Sequence, residues 1–557
     1  MQSLRSFIRR IEEAVPDQLV TVDEEVDSRY EITAYIQEME RRRENPGLIF
    51  NNVKGYDSPV AANLFGHIDR MNLAIGDSTV RNGRLDFYDE WNASMNREVS
   101  PVQVHGGPVK AVLHSGDEVD LTSLPVPLFY EQDGGRYITA GLMVARNPDR
   151  CEELNLTYAR MVVNGRTDLG VSFHSRGHMW HYLEGSKAAG EPLDVAIIIG
   201  AQPALCLAAA AKITDEYDIA SALTGEPLEL VGCETVDLPV PSRAEIILEG
   251  KVLLDEGAEG PFTEYTGYIS GRSTRNHIRV DAITRREDAI FHAVAPNNAA
   301  EHLLLSGLPK QARISRTLVD SMHVSALRDI IWPVEGTHFV CFLTLDEKMS
   351  ATPGLAKQYA LLLLGLDHYV KYVAILPEGT DITDIAGTMN AIASRCNFRR
   401  GSGVELLGDV FGQYLDPSSP EAGLTSKMII DATGPKTSVS GATVDALRET
   451  AMRIGGVEDV AFHDGGSPLF AVVKANPGAE ASHVLGELGE DHRLIAIVDR
   501  DIDINDPREV LWAVATRSQP VSDVTFGDGR MVIDARKPEG WSAMRATLPE
   551  SVMARHL

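Results

Sequence analysis

The chain has 557 residues, 44% hydrophobic and 24% charged, which leaves room for roughly two to four domains and excludes extended disorder. Eighty acidic against 52 basic residues give a formal net charge of −28, a surface that repels nucleic-acid backbones and anionic membranes. The five cysteines are scattered, without a C-x-x-C, so neither a zinc knuckle nor a disulfide framework is expected, and a reducing cytoplasm is the simplest compartment.

In chain order, the opening MQSLRSFIRRIEEAV has no apolar signal-peptide core and predicts an amphipathic helix. Gly47-Leu-Ile-Phe-Asn-Asn-Val is strand-like, and residues 1–115 are expected to form a mixed α/β unit. From about residue 116 to 300, short apolar runs bounded by Gly, Pro and Asp predict a strand-rich domain. Its most apolar stretch, 195–211, is interrupted by Gly200, Gln202 and Pro203 and is expected to be a buried strand followed by a small-residue turn, not a membrane span. Helical spacing over 301–332 predicts a connector helix.

An internal repeat follows. Lys371-Tyr-Val-Ala-Ile-Leu-Pro-Glu-Gly-Thr-Asp-Ile-Thr-Asp leads into Ala391-Ile-Ala-Ser-Arg395, and Arg493-Leu-Ile-Ala-Ile-Val-Asp-Arg-Asp-Ile-Asp-Ile-Asn-Asp leads at the same spacing into Ala513-Val-Ala-Thr-Arg517. Each is followed by a short strand, Lys427-Met-Ile-Ile-Asp-Ala and Arg530-Met-Val-Ile-Asp-Ala. The repeat predicts an α/β domain over 333–435 and a diverged second copy with a tail over 436–557. Arg493 stands in the second copy where Lys371 stands in the first, so a packing or oligomer role is expected there.

The chain has no P-loop, no G-x-G-x-x-G after a strand, no G-x-S-x-G elbow and no H-E-x-x-H. What remains is a pair of five-residue spacings, Asn155-Leu-Thr-Tyr-Ala-Arg160 and Glu259-Gly-Pro-Phe-Thr-Glu264. Five is neither a helical neighbour spacing nor an even strand step, but Gly260-Pro261 turns the chain and can fold both carboxylates towards one point. An arginine set between them would keep one ionised while the other exchanges a proton. His174-Ser-Arg-Gly-His178-Met-Trp-His181 is a candidate metal cluster, or ordinary polar surface with Gly177 breaking the helix. Glu216 alone is an unremarkable acid.

Taken in order, these pieces resemble the UbiD family of prenylated-flavin-dependent decarboxylases. They are Asn155-x-x-x-x-Arg160, a histidine near Trp180-His181-Tyr182, Glu216-Tyr, Leu228-Glu-Leu-Val-Gly-Cys-Glu-Thr and Glu259-Gly-Pro-Phe-x-Glu264. Leu48-Ile-Phe-Asn-Asn-Val-Lys-Gly-Tyr, Glu301-His-Leu, Tyr414-Leu-Asp-Pro-Ser-Ser-Pro and Ser426-Lys-Met-Ile-Ile-Asp-Ala-Thr add to the likeness, which runs from about residue 1 to 435. It implies an α/β (α+β) fold in which the middle domain is a split-barrel-like flavin-binding domain. It also implies prenylated FMN, Mn²⁺ or Mg²⁺, K⁺, a flavin prenyltransferase as cofactor supplier, and a homo-oligomer, dimer or hexamer. By position, Asn155, His178 and Glu216 match the family's metal ligands beside the flavin phosphate, and Lys371 matches the lysine that approaches the same phosphate. Arg160, Glu259 and Glu264 match its catalytic network. The loop from Ala208 to Thr214 is shorter than the family's phosphate-contacting loop, and His174 competes with His178 for the metal.

The implied reaction is reversible decarboxylation of an aromatic or heteroaromatic carboxylic acid, with the cofactor as electron sink, Glu264 as proton donor and Glu259 as the ionised partner that orients Arg160. The alternatives are an α,β-unsaturated (acrylic-type) acid as substrate, a non-catalytic flavin-binding or assembly protein, and a metal hydrolase built on the histidine cluster.

Overall fold

The computed structural model describes residues 3–76, 83–173, 177–211, 213, 215–297, 299–350, 352–437, 444–463, 467–489 and 492–556. It divides into two units, Met1–Arg313 with Met544–Leu557, and Ile314–Ala543. The opening segment is a helix over Leu4–Ala14, started by a reciprocal Ser3/Ser6 capping box, and it buries Leu4, Phe7 and Ile11 on one face. Next comes a four-stranded sheet in the order Leu19–Val22, Gly47–Phe50, Val60–Ala62, Phe291–Ala293.

The centre of the first unit is a nine-stranded sheet with a path of Tyr137–Ile138, Met161–Val163, Asp168–Val171, Asn276–Arg285, Ile246–Glu256, Leu193–Ile199, Leu142–Arg146 and Leu154–Tyr158, and with Val112–Ser115 pairing Asn276–Arg285 off that path. Every pairing along that path is antiparallel. The two ends of the path are close in sequence. Only Ala159 and Arg160 join Leu154–Tyr158 at one edge to Met161–Val163 beside the other. A link that short reaches no more than about 10 Å, so the sheet must curl until its edges nearly meet. Arg160 sits in that seam.

The interior is apolar, with Tyr137, Met143, Val195, Ile197, Leu248 and Ile278 at most 1% exposed. Strand Leu193–Ile199 is buried along almost its whole length, as expected, but a helix over Pro203–Ala210 follows it instead of a turn. Pro203 occupies the first turn, where its fixed φ suits a helix start, and the Ala/Leu run behind it favours helix. The tail returns to this unit as helix Glu550–His556, where Arg555 pairs with Glu31 at 2.9 Å. Among the described residues no helix is long and apolar enough to cross a membrane.

The second unit shows the repeat as two five-stranded sheets of identical strand order. The first runs Leu327–Ile331, Val340–Leu345, Tyr372–Pro377, Leu424–Asp431, Val404–Phe411, and the second Val457–Phe462, Phe470–Ala475, Leu494–Val498, Arg530–Asp534, Val524–Gly527. In both, the three inner strands are parallel and both edge strands antiparallel. Even the edge irregularity repeats, between Leu327 and Asp329 and between Val457 and Asp459.

One close approach inside the curled sheet ties fold to site. A Cβ at Gly170 would lie 1.8 Å from the Ala258 carbonyl oxygen, in the loop that carries Glu259. Gly170→Ala is expected to destabilise the protein by about 1–3 kcal/mol through forced displacement of that loop, read as a lower midpoint in scanning calorimetry.

Candidate active site

Strand Leu154–Tyr158 presents Asn155, which is buried, and the link beyond it presents Arg160. His178 begins helix His178–Ala189 and places Nδ1 3.0 Å from Asn155 Oδ1. Glu216 begins helix Glu216–Thr224 after Asp215 turns the chain with φ +63°. Its carboxylate faces the backbone N–H of Leu156, and burial pushes its pKa up to about 7. An amide oxygen, an imidazole and a carboxylate thus gather around Asn155 and Leu156. Those three groups fit a divalent cation of the Mn²⁺ or Mg²⁺ type, and the Asn155 Nδ2, buried without a hydrogen-bond partner, is an N–H suited to a bound anionic group. Among the described residues no three His, Cys, Asp or Glu side chains gather as a metal site, so a metal here depends on the Asn155 amide. His174 lies outside the described residues, as do Lys212 and Thr214 of the 208–214 loop.

The second spacing closes on Arg160. Its Nε donates to Glu259 Oε1 at 2.9 Å, its second amino group donates to the Arg272 carbonyl at 2.7 Å, and its first pairs with Glu264 Oε1. The guanidinium also lies over the Phe262 ring, 4.9 Å from the centroid. The chain doubles back at Gly260, whose φ of +81° is a left-handed conformation that glycine adopts without strain, and the Gly260–Pro261 peptide is cis. Burial alone would lower the Arg160 pKa, but the two carboxylates overcome it and raise it, so the cation is permanent. Burial pushes Glu264 up, Arg160 pulls it down, and the neighbouring charge of Glu259 adds to the rise. The result is a fixed cation flanked by two carboxylates of which Glu264 is biased towards holding a proton.

Two supports of this clamp are not legible in the sequence. Asp133 Oδ1 accepts from both the backbone N–H and the hydroxyl of Thr263, each at 2.8 Å, which pins the residue before Glu264, and burial raises its pKa to about 6. The Tyr137 hydroxyl accepts from Gly260 N at 3.0 Å and stands 3.4 Å from Glu259 Oε1. Neither Asp133 nor Tyr137 belongs to a motif, and only the strand pairing brings them here. Lys371 belongs to the second unit, where its ammonium is 1% exposed and bonds Asp416, Ser418 and the Ser518 carbonyl. Reaching a phosphate from there would mean giving up the Asp416 carboxylate.

The chain that folds this curled antiparallel sheet around a buried carboxylate–arginine clamp is a carboxy-lyase. Family models described as the N-terminal, Rift-related and C-terminal domains of 3-octaprenyl-4-hydroxybenzoate carboxy-lyase match residues 14–84, 101–299, and 304–432 with 438–541. The chain belongs to the UbiD family and is a decarboxylase of that class. It is 31% identical over 436 residues to anhydromevalonate phosphate decarboxylase of Methanothermobacter thermautotrophicus, which covers 78% of this chain and 97% of the relative. The UbiD-class enzyme HmfF of Pelotomaculum thermopropionicum, in complex with FMN, is 33% identical with a TM-score of 0.71, covering 78% of this chain and 94% of that one. An evolved dimeric form of the same enzyme, in complex with prFMN, is 31% identical with a TM-score of 0.68, over 79% and 98%. The apo 3,4-dihydroxybenzoic acid decarboxylase AroY of Klebsiella pneumoniae is 26% identical with a TM-score of 0.72, over 78% and 95%.

Tyr137→Phe removes the acceptor for the Gly260 N–H and a donor facing Glu259. The expected loss is about 1 kcal/mol of stability from the half-buried amide left without its acceptor, measured as a lower denaturant midpoint at unchanged slope.

Proposed function

We propose that the chain catalyses the reversible, non-oxidative decarboxylation of an aromatic or heteroaromatic carboxylic acid with prenylated FMN as cofactor. The observation that carries this reading is the buried Glu259–Arg160–Glu264 clamp, in which one carboxylate is biased towards the protonated form beside a permanent cation. The aromatic assignment draws on the structural likeness to a 3,4-dihydroxybenzoic acid decarboxylase, and the cofactor on the likeness to HmfF with FMN and with prFMN.

Asn155, His178 and Glu216 would hold a Mn²⁺ or Mg²⁺ ion beside the cofactor phosphate, with K⁺ nearby. Prenylated FMN, when bound, supplies the sink for the electron pair released as the C–CO₂ bond breaks. Glu264 donates a proton to the carbon that has lost CO₂, and in the reverse direction removes it. Arg160 holds the Glu264 carboxylate in place, and Glu259 with the Arg272 carbonyl holds Arg160. Tyr137 and Asp133 fix the two ends of the loop that carries both glutamates.

Likeness to an anhydromevalonate phosphate decarboxylase favours a second reading, in which the substrate is an α,β-unsaturated, non-aromatic acid. Co-expression with a flavin prenyltransferase, followed by CO₂-release assays over aromatic, heteroaromatic and acrylic-type acids, separates the two. Turnover of aromatic acids only is the expected result. Turnover of acrylic-type acids only would transfer the assignment to the second reading, and no turnover of either by the cofactor-loaded protein would sink both.

Glu264→Gln is expected to abolish turnover, at least about 10³-fold, with the flavin still bound. Because Glu264 must carry a proton to donate it, decarboxylation falls as pH rises through its raised pKa. Glu259→Gln removes the like charge that adds to the rise, so the falling limb of the pH–rate profile should move to lower pH. A limb that stays in place would remove Glu264 from the donor role. Asn155→Ala and Glu216→Ala should yield folded protein depleted of metal by elemental analysis, and full metal occupancy would take them out of the metal site.

A further inference from the structure

The two α/β copies of the second unit meet through matching residues. Lys371 Nζ in the first copy donates to the carbonyl of Ser518, the C-cap of helix Pro507–Arg517 in the second, at 3.1 Å. Arg493 in the second copy donates to the carbonyl of Cys396, the C-cap of helix Ile385–Arg395 in the first, at 2.6 Å. The shift along the sequence that carries Lys371 onto Arg493 also carries Cys396 onto Ser518. The same shift carries Tyr372, Met389 and Ile392 onto Leu494, Leu511 and Val514, and all six line one apolar cavity between the copies. Contact of i with j′ together with j with i′ defines an isologous, two-fold interface, which ordinarily joins two identical chains. Here both halves belong to one chain. Each cation ends the helix of the other copy, where the unpaired carbonyls and the negative end of the helix dipole favour it.

We infer that the second copy is a built-in partner for the first. It occupies, about an internal pseudo-two-fold axis, a face that fits one kind of partner, another α/β module of the same fold, and it closes that face to a second chain. Lys371 and Arg493 are the equivalent cross-caps of this internal dimer. The inference is independent of the decarboxylase reading.

Hydrogen–deuterium exchange on the full chain tests it. Arg493→Met should speed exchange at the end of helix Ile385–Arg395, in the other copy, by about tenfold or more, and Lys371→Met should do the same at the end of helix Pro507–Arg517. Arg493→Lys, which keeps the cation, should restore protection. Protection at both helix ends should persist when the wild-type chain is diluted roughly a hundredfold, because an intramolecular partner is not lost by mass action. Arg493→Met leaving the Ile385–Arg395 helix end unchanged would overturn the cross-capping, whatever becomes of Lys371→Met. Loss of protection on dilution would show that the partner is another chain, and would overturn the internal dimer.

Discussion

Everything in the first unit depends on one arginine held where a sheet closes on itself. Two residues connect one edge strand of the nine-stranded sheet to the strand beside the other edge, so the curl of the sheet and the position of Arg160 are a single constraint. The guanidinium is then fixed by three partners, the Glu259 and Glu264 carboxylates and the Arg272 carbonyl, with an aromatic ring beneath it. Its rigid fork of donors makes this possible, whereas a lysine would offer a point charge without a plane. With both carboxylates ionised the triad would carry a net negative charge in a nearly dry place. Protonation of Glu264 would relieve that charge, and burial together with the neighbouring Glu259 raises its pKa in that direction.

The loop between the glutamates has little regular structure of its own, since only Phe262–Thr263 pairs as a strand. Its position comes from outside. Asp133 takes the Thr263 N–H, the Tyr137 hydroxyl takes the Gly260 N–H, and Gly134 N donates to the Pro261 carbonyl at 2.7 Å. All three donors or acceptors come from one short segment leading into strand Tyr137–Ile138, which lies at the seam edge of the sheet beside Met161–Val163. The same closure therefore sets both the arginine and the loop that answers it. Pre-organisation of this kind leaves little to rearrange when a proton moves.

This division explains what could be read from the sequence. The Asn155/Arg160 and Glu259/Glu264 spacings were legible because a turn or a two-residue link converts a local count into a spatial meeting. The duplicated domain was legible because strand, Asp-rich turn and helix recur in fixed order. Asp133 and Tyr137 were not, because their roles follow from which strands are neighbours in the curled sheet, and nothing local records that. Glu216, an ordinary acid in sequence, becomes a group titrating near pH 7 only once its helix start is buried against Leu156. The helix over Pro203–Ala210 is not legible because Gly200 and Pro203 read locally as a stop, whereas a proline in the first turn is also a start. For Lys371, sequence showed a cation at a strand start and the family likeness a phosphate. The buried carboxylate of Asp416 could be found only in three dimensions.

The second unit shows why the two equivalent cations differ. Lys371 is fully buried, and its burial lowers its pKa against the pull of Asp416. A compact, strongly hydrated ammonium in such a place needs a counter-ion, and the first copy supplies one, with Ser418 and Gln519 satisfying the remaining carboxylate lone pairs. Arg493 does the same capping from a half-buried position, donating to Thr437 and to Cys396, with the Phe398 ring 6.0 Å from its guanidinium. A guanidinium spreads its charge and is desolvated more cheaply, so the structure gives it a hydroxyl, a carbonyl and a ring where Lys371 has an acid. The pair is thus equivalent in function and unequal in support. That is the pattern to expect once a two-fold interface is written twice into one chain and each half can change without the other.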